Sequence, residues 1–546
     1  MTYKPAAAAL AVALSMAVPA SAATVFTNVN GYTLDGVGQL QTFDTLVVSD
    51  DGRVSRTMSS PTDLPSGDVV DMDERTMLPG LIDGHGHVMG LGQQLSQLDL
   101  SQTTSLDEAL AAIRDYAEAN PELEWITGRG WNQENWALGR FPTAVELDTV
   151  VADRPVFLER VDGHAAWVNG EALRRGAVTA ATLDPDGGRI ERLPDGNPEG
   201  VLVDTAQALV ALPMPTEEQR ALWLDRALAK MASVGLTGVA DMGTSPVDWQ
   251  MMNRYGANGR LTARIAAYAG GMQSLEAIAP NGPTGWQYDD RLALVGVKLY
   301  GDGALGSRGA ALLEPYSDAP DETGLLFVEG AELRNKFVSA ARRGHQIAFH
   351  AIGDAANREA LDAFADVLRY APGGRHRVEH AQIVAIEDLP RFAEIGIIAS
   401  MQQTHATSDK NMAEDRVGPD RIRGGYAWQT MLETGARFAG GSDFPVEPSE
   451  PLYGLHAAVT RQDRSGDPDG GWYAGEAQTL EQALASFTTG AAYANQAERM
   501  VGTLTPGKYA DFIILASDPF AVDPVDSWSI EVEETWLAGE KVFDAD

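Results

Sequence analysis

Residues 81–90 read LIDGHGHVMG, with His85 and His87 one residue apart at the end of an apolar run. In a β-strand, residues i and i+2 project to the same side, so these two imidazoles share one space. Four more ionisable residues lie in or at the ends of comparable apolar runs: Lys298 in VGVKLYGDG, His350 in IAFHAIGD, His380 in VEHAQ and Asp443 in AGGSDFP. Burying one such group costs several kcal/mol unless it is paired or metal-bound. Six of them converging on one face share a simple partner in a divalent cation, as one or two ions. Imidazole and carboxylate donors suit zinc and other first-row metals. Lys298 is the odd member, because an ammonium repels a cation. It is either neutral through desolvation or converted by carbon dioxide into an anionic carbamate, and both readings stand.

These residues need a scaffold that brings distant strands together. Eight short runs rich in Val, Ile and Gly lie at 80–88, 235–242, 262–269, 294–302, 346–352, 376–382, 396–402 and 436–443. Amphipathic stretches such as 331–343 and 355–370 separate most of them. This alternation predicts an α/β fold, a (β/α)8 barrel. A doubly wound sheet is the alternative, but it has no need of eight strands. The β-like segments of 23–76 and 498–546 are too small for separate cores and are expected to form one composite β-sandwich. Residues 77–99 carry the first barrel strand and 216–497 the rest of the barrel. About 150 residues separate the first two runs, far more than a strand-to-helix connection needs. Residues 100–215 are therefore an expected insertion, leaving the barrel at its C-terminal face and capping the pocket.

Composition narrows the chemistry. The 546 residues carry 41 Lys+Arg against 77 Asp+Glu, a net charge of −36. Such a field repels phosphate backbones, so nucleic acid is excluded as a partner. With no cysteine, disulfides, thiolate nucleophiles and cysteine metal sites are excluded as well. Residues 1–22 have the layout of a secretory signal: Lys4, then an apolar stretch, then Ala-Ser-Ala at 20–22. The apolar stretch is short for a membrane span. The expectation is an exported protein, periplasmic or secreted, without a membrane anchor.

Further polar residues are candidates for contact with a small-molecule substrate: His164 in VDGHAAWVN, Asp302 and Arg308 after the Lys298 run, and His405 after the seventh run. Each has a plainer reading, as a surface histidine or as a structural turn with a local salt bridge; Ser307 shares the same turn. Trp131, with Trp136, could form an apolar wall or simply pack. His345, His376 and His456 receive no role. GDGALGSRG at 301–309 lacks the Gly-Lys-Ser/Thr ending of a phosphate loop.

Taken together, PGLIDGHGH, VKLYGDGALGSRGA, FHAIGD, VEHAQ, GGSDFPV and TPGKYADFIIL, with GRGWN and VDGHAAWVN, resemble the amidohydrolase superfamily over about residues 24–546. Within it they are similar to the metal-dependent hydrolase subgroup typified by N-substituted formamide deformylase. The resemblance implies that His85 and His87 bind the more buried metal, that Lys298 as a carbamate bridges two metals, and that His350 and His380 hold the second. It implies that Asp443 contacts the first metal and acts as acid and base, with His380 beside it among the catalytic residues. The implied reaction is hydrolysis of a linear amide, an N-formyl or N-acyl amine. In it Asp443 takes a proton from an activated water and returns it to the leaving nitrogen. The same site acting on an ester, lactone or cyclic amide is the nearest alternative; a non-catalytic exported binding protein is the alternative of another class. A homodimer is left open.

Overall fold

The computed structural model describes residues 23–546 except 37, 134, 161, 162, 164, 186 and 187. The expected leader at 1–22 and the candidate His164 lie outside the described residues.

Eight parallel strands follow one another around the centre: β1 (Leu81–Gly86), β2 (Leu236–Thr244), β3 (Arg264–Gly270), β4 (Leu292–Tyr300), β5 (Gln346–Ala351), β6 (Arg377–His380), β7 (Ile398–Gln402) and β8 (Arg437–Gly441). These are the eight runs expected from the sequence. A parallel strand is covered on both faces, so its apolar residues run on without alternation; β4, for example, is buried from Leu292 to Leu299. Helices form the outer ring. Asp354–Leu368 buries Ala356, Ala360, Leu361, Phe364 and Val367 along one stripe, and its Phe364 stacks on Phe337 of the neighbouring helix at 4.4 Å.

The cylinder closes at its C-terminal end. The Asp443 amide donates to the His85 carbonyl at 2.7 Å, and the His87 amide donates to the Phe444 carbonyl at 2.8 Å. Glycine makes this approach possible: a Cβ on Gly84 would stand 2.5 Å from the Gly440 carbonyl oxygen, and one on Gly441 would stand 2.6 Å from the His85 nitrogen. The glycines of DGHGH and AGGSD are thus the two sides of one seam.

The two chain ends build a β-sandwich together. One sheet runs Glu540–Asp544, Val532–Leu537, Phe512–Leu515, Thr76–Pro79, Asn30–Leu34 and Leu40–Phe43; the other runs Val54–Met58, Thr45–Val48, Ala23–Thr27 and Gly67–Asp71. Phe26 from one sheet packs edge-on against Phe512 and Trp536 of the other at 5.2 Å. The segment between β1 and β2 has a six-stranded sheet of its own, from Leu98–Asp99 to Pro198–Asp204, with separate apolar cores.

Candidate metal centre

All six residues singled out as ligands reach the C-terminal mouth of the barrel. His85 and His87 follow from β1, Lys298 from β4, His350 from β5, His380 from the last residue of β6, and Asp443 from two residues past β8. Together they line one cavity of about 350 Å3. His85, His87 and Asp443 form its tightest part, with their ligand atoms within 4.8 Å of one another. Asp443 Oδ1 lies 3.0 Å from His87 Nε2 and 3.3 Å from His85 Nε2. Lys298 Nζ lies 3.3 Å from the same His85 nitrogen. The His380 ring sits between those of His85 and His350, at 4.8 and 4.5 Å.

Two of these residues hold strained backbone. His380 has φ +73° and Asp443 φ +61°, a region that side chains other than glycine rarely adopt. Both stand where a strand ends and the chain turns outward, so the strain aims their side chains back over the mouth.

Buried partners orient the imidazoles. His85 Nδ1 is 2.6 Å from Glu379 Oε2, and His380 Nδ1 is 2.8 Å from Gln402 Oε1. Each contact occupies one ring nitrogen and leaves Nε2 to face the cavity, the arrangement that positions a metal-binding histidine. Glu379 is in turn held by Arg377, whose Nε donates to Oε1 at 2.5 Å. Arg377 also reaches the Gly84 carbonyl and the Ser400 hydroxyl, tying β6 to β1 and β7. Asp83 accepts from the His85 amide at 2.9 Å and from the Ser442 hydroxyl at 2.6 Å, across the seam. Asp241 accepts from the Val88 amide at 2.8 Å and fixes the turn that carries His87.

The electrostatics fit a cation. Burial alone would raise the Asp443 carboxyl, but His85 and His87 hold it well below the ordinary carboxylate range. Burial pushes the Lys298 amine down to about 8 and His350 down to about 3, which keeps that imidazole neutral. His350 Nε2 is buried without a hydrogen-bond partner, at 3.5 Å from Asp302. A neutral imidazole with an orphaned buried nitrogen, beside an ionised carboxylate and two more imidazoles, is a donor set suited to a divalent first-row metal.

The other candidates divide. His405 lines the cavity, with Nε2 3.8 Å from Asp443 Oδ2 and its ring stacked on His380 at 5.8 Å. Asp302 is not among the residues that line the cavity. It accepts from the amides of Ala311, Ile352 and Gly353 at 2.8–3.0 Å, so it braces the loops behind His350, and burial pushes its carboxyl up to about 7. Arg308 turns away to pair with Asp318 at 2.8 Å, where Arg416 joins them; the salt-bridged turn is the reading that holds. Trp131 belongs to the core of the inserted sheet. It is fully buried, its Nε1 donates to the Leu158 carbonyl at 2.7 Å, and it packs on Trp136 and Trp167. Hydrophobic packing claims it before any substrate could. Among the described residues of the insertion, none lines the cavity.

Asp83, Asp241, Arg377, Glu379 and Gln402 were not singled out from sequence. Four of them carry the same signal as Lys298, a charge inside an apolar barrel run.

Comparison with known proteins agrees with this geometry. The family model described as "Amidohydrolase family" matches residues 68–543. YtcJ of Bacillus subtilis (strain 168), placed among the amidohydrolases by its name, is 33% identical over 496 residues, covering 88% of this chain and 91% of its own. N-substituted formamide deformylase of Arthrobacter pascens is 26% identical over 502 residues, covering 87% and 90%. The crystal structure of an uncharacterized metal-dependent hydrolase from Pyrococcus horikoshii OT3 superposes with a TM-score of 0.78 at 28% identity, over 92% of this chain and 99% of that one.

Proposed function

The chain belongs to the amidohydrolase family, and from that premise we propose that this metal-dependent hydrolase cleaves the carbon–nitrogen bond of a linear amide, an N-formyl or N-acyl amine, with Asp443 as acid and base. The observation that carries the reading is the position of Asp443: Oδ1 sits against both His85 and His87, while Oδ2 is turned toward His405 and the cavity. The amide preference rests on the kinship with N-substituted formamide deformylase.

His85, His87 and Asp443 would hold one metal, and His350 and His380 a second, with zinc the ion proposed and Lys298 as a carbamate between them. A metal bound there supplies Lewis acidity and lowers the pKa of water toward about 7. Asp443 Oδ2 accepts the proton of the attacking water and hands it to the leaving nitrogen, which an amine needs in order to depart. Glu379 fixes the His85 ring and Gln402 the His380 ring, so neither turns during the proton transfer. The lowered pKa of Lys298 supports the carbamate, since only the neutral amine attacks carbon dioxide, forming the N–C bond and releasing a proton. Residues 1–22 are proposed as a leader removed before Ala23, which makes the protein exported; the amino terminus of protein recovered from separated cell fractions tests this. Among the described residues no helix is long and apolar enough to cross a membrane.

The test pairs elemental analysis of the purified protein with amides, esters, lactones and cyclic amides matched in shape. Stoichiometric metal and turnover of linear amides above the others are expected. Metal near zero overturns the centre, and turnover confined to esters or rings overturns the substrate.

A further inference from the structure

The metal ligands occupy the floor of the cavity, and its remaining wall is unusual in charge. Helix Gln403–Asp409 rises from the floor toward solvent. His405, Ser408 and Asp409 are spaced i, i+3 and i+4 and share a face. The loop after β8 brings Glu447 against them, its Oε1 accepting from the Ser408 hydroxyl at 2.5 Å. Asp409 Oδ2 accepts from the Tyr426 hydroxyl and the Gln382 amide, both at 2.8 Å. Each carboxylate keeps its other oxygen without a hydrogen bond among the described residues. Lys298, down at the metal ligands, is the one lysine or arginine lining the cavity among the described residues. The cations nearest in sequence are engaged elsewhere: Lys410 with Asp463 and Asp467, and Arg416 with Asp318.

A second observation marks where a ligand would lie. His405 is nine-tenths buried at 9% exposure, yet its Nε2 has no hydrogen-bond partner and stands 3.8 Å from Asp443 Oδ2. An orphaned imidazole nitrogen beside the proposed acid and base suits a polar group of the substrate at the reacting centre. Leu305, Ile352 and Val446 add apolar surface to the same cavity. The cavity thus joins the metal-centre residues, apolar surface and two carboxylates that no lysine or arginine lining it pairs among the described residues.

We propose that Asp409 and Glu447 form a cation subsite, so that the preferred amide carries a second, protonated amine at the far end of a short alkyl chain, as in a mono-N-acylated diamine. This rests on the amide reading above. Burial raises both carboxyls above their ordinary range, the penalty that a bound ammonium would relieve.

The experiment compares N-acetyl-1,4-diaminobutane with N-acetylpentylamine, in which a methyl replaces the ammonium, and with the anionic N-acetyl-5-aminopentanoate. The holoenzyme is expected to favour the cation over the neutral amide by about ten- to a hundredfold in kcat/KM, the size of one hydrogen bond to a charged group, chiefly through KM, and to take the anion least. Glu447→Gln, with Asp409→Asn as the second variant, is expected to collapse the cation-to-neutral ratio toward one. Calorimetric titration of the three amides into metal-loaded Asp443→Asn reads the same preference without turnover. Turnover of cationic and neutral amides at equal efficiency, or a ratio unchanged in both variants, overturns the subsite while the amide reading stands. No amide turnover together with tighter calorimetric binding of the cation keeps the subsite and overturns the reaction.

Discussion

His85 and Asp443 meet twice. The Asp443 amide donates to the His85 carbonyl at 2.7 Å, closing the barrel, and the Asp443 carboxylate lies 3.3 Å from His85 Nε2. The bond that shuts the cylinder and the contact at the heart of the proposed metal centre join the same two residues. Asp443→Asn keeps the backbone half of that relationship and removes only the charge and the basicity. The expected result is a fall in kcat of about 10^2–10^4-fold, the usual contribution of an acid–base group, with metal still held by the histidines. Wild-type kcat in the metal-loaded variant would remove Asp443 from the chemistry.

Glu379 holds the ring of His85, a proposed metal ligand, at 2.6 Å. Glu379 and Arg377 are both fully buried and bonded to each other, and the other Glu379 oxygen holds His85 Nδ1. Glu379→Gln leaves an acceptor in place but strips the charge that fixes the ring. Loss of such a partner typically weakens metal affinity by about 10–100-fold. Competition against a chromophoric chelator measures it. The variant should also melt earlier, since Arg377 then lacks its countercharge. Unchanged metal affinity would make Glu379 a purely structural partner of Arg377.

How far the sequence reaches depends on which physical signal is local. The barrel was legible because each strand is buried on both faces and reads as a continuous apolar run, and the six ionisable residues that line the cavity because they interrupt those runs. Glu379 and Arg377 interrupt one as well, but their duty to His85 and to Gly84 is set by a strand 294 and 293 residues away, which no spacing reveals. Trp131 shows the converse. Its neighbours Phe141 and Trp167 assemble around it only in the folded insertion, so an aromatic suited to a pocket wall proved to be core. For Arg308 the sequence left substrate contact and a salt-bridged turn both open, because its countercharge, Asp318, sits ten residues on across a loop.

The seam predicts a steric result. Gly84→Ala would place a Cβ 2.5 Å from the Gly440 carbonyl oxygen, which is backbone and cannot rotate aside. Separation of β1 from β8 is expected to cost about 1–3 kcal/mol and to displace His85. Gly285→Ala is the control, because nothing lies within 4 Å of its Cβ. Thermal denaturation should show a drop for the first and little change for the second, and metal content should fall with the first alone. Equal stability of the two variants would mean that the strands can part freely.

His376 predicts a dependence on acid away from the metal centre. Its ring stacks on Phe364 at 5.4 Å, Nδ1 accepts from the Ile347 amide at 3.1 Å, and burial lowers its pKa from 6.5 to about 4. Between those two values the unfolded chain binds a proton that the folded chain refuses, so stability falls as the pH drops through that window. At 1.36 kcal/mol per pKa unit, the loss from pH 7 to pH 5 is about 2 kcal/mol. His376→Gln retains an acceptor for the Ile347 amide and does not titrate. Its denaturation midpoint should therefore shift less than that of the wild type between the same two pH values, while the contributions of His350 and His380 stay common to both proteins. Parallel shifts in the two proteins would show that this ring is already protonated in the folded state or shares its burial with water.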